Sequence, residues 1–200
     1  MEETPNPNSV PNMLAHEEAK TVLLLIDVIN DLEFEGGEQL LPYALKMAEQ
    51  IAALKQRTQA AGIPAIYVND NFGQWRSDFS HLVEHCLHDQ VRGEPIAQRL
   101  KPAEDDYFVL KPKHSGFYLT TLDLLLQYLG AKTLILAGMA GDICVLFTAN
   151  DAYMRDYKLY IPADCVASNT DESNERALQI MVRALKADIR PAKDLDLENL

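Results

Sequence analysis

The chain has 200 residues, 48% of them hydrophobic, and a formal charge of −12 with a pI near 4.8. That length and apolar content suffice for one sizeable core, while the negative charge disfavours nucleic-acid backbones and anionic membrane surfaces as partners, because both would be repelled. Three widely spaced cysteines, Cys86, Cys144 and Cys165, without a secretory leader pattern, do not describe a disulfide framework, so the expected compartment is the cytoplasm.

Residues 1–19 are rich in Asn, Pro and Glu, which predicts a flexible N-terminal arm ahead of a single domain over 20–200. Thr21–Asp27 is a continuous apolar run that ends in a carboxylate, the pattern of a strand buried on both faces. Its apolar stretch, Val22–Ile26, is too short to span a bilayer. From Leu40 to Ala61 apolar residues recur at helical spacing (Leu41, Leu45, Ala48, Ile51, Ala52), and Gly62 stops the helix. Pro64–Asn69 and Tyr107–Lys111 read as the second and third strands, the latter again ending on a charge. A helix over Leu119–Leu129 stops at Gly130, and Thr133–Met139 is the fourth strand. A helix over Ile143–Tyr157 and a short strand over Leu159–Ala163 follow. Thr170 suits the N-cap of a helix carrying Leu178, Met181 and Leu185, and Ala187–Arg190 reads as an edge strand.

Strands alternating with helices predict an α/β fold: a three-layer αβα sandwich around a central, mostly parallel sheet of five to six strands. In such sheets ligands bind beyond the carboxyl ends of the strands. Three reactive groups fall there. Asp27 ends the first strand, Lys111 ends the third, and Cys144 follows the fourth. Each has an ordinary structural use taken alone: a loop-capping carboxylate, a lysine reaching solvent, a small buried cysteine. An acid, a base and a thiol at one sheet edge instead suit nucleophilic catalysis. The run Gly138-Met139-Ala140-Gly141-Asp142-Ile143-Cys144 leads from strand to helix, so Cys144 is expected near a helix N-terminus, where the dipole and free N–H groups favour a thiolate. Spacing alone does not separate Lys111 from Lys113. Cys86 and Cys165 have no such neighbours and read as core.

Three stretches, LLLIDVINDL (Leu23–Leu32), VLKPKHSGF (Val109–Phe117) and LILAGMAGDICVLFTANDAYMRDYKL (Leu134–Leu159), resemble the isochorismatase-like cysteine hydrolases, which include nicotinamidases and N-carbamoylsarcosine amidohydrolase. The resemblance runs from Thr21 to about Ala187. It implies a Rossmann-like α/β hydrolase that cleaves the C–N bond of a small amide-like substrate through a Cys144 thioester. It further implies that Asp27 shuttles the proton and that Lys111, selected over Lys113 by the Lys-Pro-x-x-Ser-x-Phe pattern, stabilises the thiolate. A non-proline cis peptide maps to Met139-Ala140, with the amides of Ala140 and Cys144 forming an oxyanion hole. No cofactor is implied, and relatives of this kind form homodimers or homotetramers.

The chain departs from nicotinamidases where they carry an Asp-x-His metal pair. Here the stretch is Asn69-Asp70-Asn71-Phe72-Gly73-Gln74-Trp75, with a carboxylate but no histidine, so no metal is expected. His81-Leu82-Val83-Glu84-His85 matches a short zinc motif, with His88 nearby, but it reads better as a solvent-facing helix. Asn30, Phe72, Trp75 and Phe117 are the candidate substrate contacts, with Phe79 and Tyr118 as further pocket aromatics and Asp31 as a loop residue. The alternatives are a member with the fold but a regulatory or non-catalytic binding role, and a receiver-like phospho-acceptor domain. The latter is disfavoured because its acceptor follows a later strand.

Overall fold

The structure is a computed structural model that describes residues 20–73 and 78–200; the expected arm over 1–19 lies outside the described residues. Strands β1 (Thr21–Ile26), β2 (Ala65–Asp70), β3 (Tyr107–Lys111), β4 (Thr133–Met139), β5 (Lys158–Tyr160) and β6 (Val166–Ala167) form one sheet. Its order is β3-β2-β1-β4-β5, all pairings are parallel, and β6 pairs with the end of β4. Helices α1 (Gly37–Ala60), α2 (Phe79–His88), α3 (Glu94–Arg99), α4 (Leu122–Tyr128), α5 (Leu146–Tyr153) and α6 (Asp171–Leu185) cover it.

Side-chain alternation sorts the strands into two cores. Leu23, Leu25, Tyr67, Ile135 and Ala137 face α1, α2 and α3. Val22, Leu24, Ile26, Ile66, Val68, Leu134 and Leu136 face α4, α5 and α6. All of β1 is buried, which is why its sequence shows no polar alternation. Helix α1 turns one stripe (Leu40, Ala44, Met47, Ala48, Ile51, Leu54) onto the first core. Helix α6 begins as expected at Thr170, whose hydroxyl accepts the Ser173 N–H at 3.1 Å.

Several boundaries differ from the sequence expectation, the largest in the second half of the chain. The helix after β4 starts earlier, as a π-helical turn over Gly141–Val145, and α5 stops at Tyr153. The fifth strand is only Lys158–Tyr160; Pro162 and a short helical turn at Ala163–Cys165 break it, and the chain re-enters the sheet as β6. The edge strand over 187–190 reduces to one parallel bridge, Tyr160 to Asp188. Helix α4 begins at Leu122 rather than Leu119.

The topology creates the site. The chain moves outward from β1 through β2 to β3, then crosses back to place β4 on the other flank of β1. The crevice between β1 and β4 at their carboxyl ends is therefore the switch point of the sheet. Gly138, paired with Ile26 and at φ +130°, permits the close approach there: a Cβ would collide with the Ile26 carbonyl oxygen.

Candidate active site

Asp27 is the first residue past β1. Its backbone adopts φ +53°, a left-handed conformation that Asp tolerates better than most residues. Its N–H still donates to the Val68 carbonyl at 3.0 Å, and its Oδ1 accepts the Asp70 N–H at 2.7 Å. Main-chain bonds on both sides thus hold the carboxylate at the switch point. Lys111 ends β3 and is fully buried; its stem reaches over β2 towards β1. Its Nζ lies 2.8 Å from Asp27 Oδ2, 3.4 Å from Asp70 Oδ2 and 3.5 Å from Cys144 Sγ. Cys144 sits in the π-helical turn, which closes as the Ile143 and Val145 N–H groups both donate to the Ala140 carbonyl at 3.1 Å. The Met139–Ala140 peptide is cis. The three residues named from the strand ends are therefore brought together, and Lys113 is left exposed in the turn beyond β3.

The electrostatics differ from the expectation of a resting thiolate. Burial, then the Asp27 charge, push the Cys144 thiol up to about 12, and Lys111 offsets them only in part. Burial also raises Asp27 above its ordinary range, against the pull of Lys111 and hydrogen bonds from Cys144, Lys111 and the Asp70 amide. Lys111 stays above its ordinary value: burial alone would depress it, but Asp27, Cys144 and Asp70 together prevail. Burial and the neighbouring carboxylate thus favour the thiol form of Cys144, beside a carboxylate that lies 2.8 Å from the Lys111 ammonium. A dipole worth about 0.3–1 kcal/mol at a helix terminus does not outweigh burial plus an adjacent anion.

From sequence, Asp70 reads only as the remnant of a metal pair. In the structure it is a second carboxylate on Lys111, from the residue paired with it in the β2–β3 ladder. Asn30 is buried and caps its own loop, its Oδ1 accepting the Leu32 N–H at 2.8 Å. Asn69, which no sequence signal marked, donates to the Ile29 carbonyl at 2.6 Å and ties that loop to β2; its Oδ1 has no partner among the described residues. Phe72 is exposed on the rim of a cavity of about 350 Å³ against Asp70, lined also by Asp31, Phe34, His81 and His85. Trp75 lies outside the described residues.

Phe117, a candidate substrate contact, is placed in the second core. It is only 5% exposed, with the Arg155 guanidinium 4.7 Å from its ring centre and Tyr157 beside it. Its backbone belongs to the loop after β3, but a large aromatic there fills the space between sheet and helix. Phe79 is likewise core, stacked on Phe108 with ring centres 5.1 Å apart, whereas Tyr118 is exposed.

The histidines of α2 each face carboxylates. His81 Nδ1 lies 3.1 Å from Asp78, His88 Nε2 lies 3.4 Å from Glu84, and His85 sits between Asp89 at 2.7 Å and Asp31 at 3.3 Å. Hydrogen bonding to Asp89, aided by Asp31, raises the His85 pKa. Among the described residues, no group of three or more His, Cys, Asp or Glu is arranged to hold a metal ion. Nor is any helix among them long and apolar enough to cross a membrane.

The isochorismatase domain family matches residues 21–190. YaaI of Bacillus subtilis, an uncharacterized isochorismatase family protein, is 45% identical over 171 residues, covering 86% of this chain and 93% of that protein. The ureidoacrylate amidohydrolase RutB of Methylorubrum extorquens is 27% identical, covering 84% of this chain and 77% of its own. The crystal structure of N-carbamoylsarcosine amidase from Thermoplasma acidophilum superposes with a TM-score of 0.69 at 27% identity, covering 88% of this chain and 99% of that one. With a family match over most of its length and a relative at 45% identity, the chain belongs to the isochorismatase family.

Proposed function

We propose that this enzyme, an amidohydrolase of the isochorismatase family, cleaves the C–N bond of a small amide-like substrate through a thioester on Cys144. The observation that carries this reading is the contact of one buried ammonium with both a carboxylate and a thiol: Lys111 Nζ is 2.8 Å from Asp27 and 3.5 Å from Cys144. On substrate binding Asp27 accepts the thiol proton and the sulfur attacks the carbonyl carbon. The oxyanion is held by the amides of Ala140 and Cys144. Asp27 returns the proton to the leaving nitrogen, which departs as ammonia or an amine. Water then gives a proton to Asp27 and attacks the thioester, releasing the acid and restoring the thiol. Lys111 stays charged throughout, offsetting the negative charge that moves between Asp27 and the sulfur.

Asp27 must be ionised to act as the base, and burial raises its pKa. The acid limb of kcat/KM is therefore expected above the ordinary carboxylate range of about 4, with activity rising as pH rises through it. A limb at the ordinary value, in a pH–rate profile of wild type, would count against Asp27 as base.

A panel of small primary amides, ureido and N-carbamoyl acids, and lactams tests the class, with ammonia release as the readout. Ureido and N-carbamoyl compounds belong in it because RutB is named for ureidoacrylate and a structural relative for N-carbamoylsarcosine. Turnover is expected to persist after chelator treatment and dialysis; loss restored by a divalent metal would overturn a metal-independent mechanism. Absence of turnover across the panel in folded protein would favour a non-catalytic binding role. Ile143 and Phe147, four residues apart on the segment carrying Cys144, are both exposed and suit self-association as a homodimer or homotetramer.

A further inference from the structure

Behind the turn that carries Cys144 runs a chain of hydrogen bonds outside the Asp27–Lys111–Cys144 cluster. The Asp142 N–H donates to Ser168 Oγ at 3.1 Å, the Ser168 hydroxyl donates to Asn174 Oδ1 at 3.2 Å, and the Asn174 amide donates to the Val166 carbonyl at 3.1 Å. Because the Ser168 proton is committed to Asn174, its lone pair faces Asp142, and each bond polarises the next. Ser168 is 1% exposed and follows directly on β6, which pairs with Gly138 and Met139 at the strand end feeding the turn. Asn174 lies in the first turn of α6, fixed by its N–H to the Thr170 carbonyl at 3.1 Å. The fit leaves no slack. A Cβ on Gly141 would overlap Asn174 Oδ1 and lie 2.6 Å from Val166 Cγ1 and 3.0 Å from Ser168 Oγ.

We propose that Ser168 and Asn174 are positioning residues: a clasp that sets the rotation of the Cys144 turn, and with it the aim of Sγ and of the Ala140 and Cys144 amides at the substrate carbonyl. The proposal rests on the hydrolytic reading above. Drawing the Asp142 N–H backwards orients the peptide plane two residues before Cys144. The Ile143 and Val145 amides are tied to the Ala140 carbonyl, so the turn is held from its rear as well as from within. Neither residue touches the Asp27–Lys111 pair, so the clasp acts through geometry, where displacements of about 1 Å cost up to about a hundredfold in rate.

The test compares wild type, Ser168→Ala, Asn174→Leu, Asn174→Asp and the Ser168→Ala/Asn174→Leu double variant. Ser168→Ala and Asn174→Leu are expected to lower kcat about ten- to hundredfold with KM within about twofold. Asn174→Asp keeps an acceptor for Ser168 but loses the donor to the Val166 carbonyl, so its kcat is expected to lie between those of wild type and Asn174→Leu. The double variant falls no further than the worse single one, as two members of one chain require. Unchanged kcat in folded variants, or effects on kcat that multiply, overturn the clasp, even where the melting temperature drops. If wild type turns over no substrate, the hydrolytic reading fails but the clasp remains testable by iodoacetamide. Releasing the turn frees Cys144 from Asp27, so Ser168→Ala is then expected to raise its alkylation rate several-fold at fixed pH, and an unchanged rate overturns the proposal.

Discussion

Cys144→Ala is expected to lower hydrolysis by about 10⁴-fold or more with the fold intact, and Asp27→Asn to abolish turnover while making Cys144 more reactive towards iodoacetamide. The two halves follow from different parts of the same charge balance. Without the sulfur no acyl-enzyme forms, and the oxyanion site has nothing to stabilise. Without the Asp27 carboxylate no group is placed to take the thiol proton or return it to the leaving nitrogen. Yet Asp27 is also the charge that, after burial, does most to hold the thiol up at about 12. Replacing it by a neutral amide leaves Lys111 as the nearest charge and lowers the thiol pKa, so the thiolate fraction grows.

In wild type at pH 7 burial and the Asp27 charge hold the Cys144 thiol well above neutrality, so the resting thiolate is expected to be a small minority. Alkylation is therefore slow and climbs steadily to high pH. Rapid alkylation of wild type with a midpoint near neutrality would mean a preformed thiolate, and Asp27 would then be no base for the first step. Mass spectrometry of the labelled peptide separates Cys144 from Cys86 and Cys165, which are fully buried.

The strand ends are the most legible part of this chain. β3 and β4 begin and end where expected, and β1 differs by one residue. β1 and β4 are buried on both faces and so leave continuous apolar runs, whereas β3 is a partly exposed edge strand marked by its aromatic and β-branched residues. The packing of Phe117 is not legible, because an aromatic beside a reactive residue looks alike in sequence whether it faces a ligand or a core. The deciding partners, Arg155 and Tyr157, lie about forty residues downstream. β6 leaves little pattern to see: two residues, placed by the β4 edge they pair with. Ser168 and Asn174 are invisible for a related reason, since a serine and an asparagine near a helix N-cap read first as local capping groups. The one available signal is the glycine at 141, whose missing side chain reports how closely α6 and β6 approach the turn. The protonation state of Cys144 is the furthest from reach. Sequence places a cysteine beside a helix start and a lysine, but burial and the distance to Asp27 decide the sign, and both are tertiary quantities.

Lys111→Met is expected to lower turnover by about 10²-fold or more and to destabilise the protein by about 3–5 kcal/mol at neutral pH, with most of the stability restored in Asp27→Asn/Lys111→Met. Lys111 is fully buried and Asp27 nearly so, and they lie 2.8 Å apart. Removing the ammonium alone strands a buried carboxylate, with Asp70 next to it adding a like charge. Met fills most of the stem's volume, so the cost is electrostatic rather than a cavity. Converting Asp27 to Asn as well removes the uncompensated charge while keeping an acceptor for the Asp70 N–H, which is why stability returns and activity does not. The pH dependence gives the sign. In Lys111→Met the folded-state pKa of Asp27 rises further above its unfolded value of about 4, so the folded state binds more protons than the unfolded one between those values, and stability falls as pH rises through that window. Lowering the pH towards 4 should therefore shrink the deficit, as the carboxyl becomes neutral in place. Urea unfolding of the two singles and the double at pH 5 and 7.5, read as a shift in midpoint at constant slope, measures the coupling directly. A deficit independent of pH, or a double variant no more stable than Lys111→Met, would assign the loss to packing and remove the ion pair as the element holding the two strand ends together.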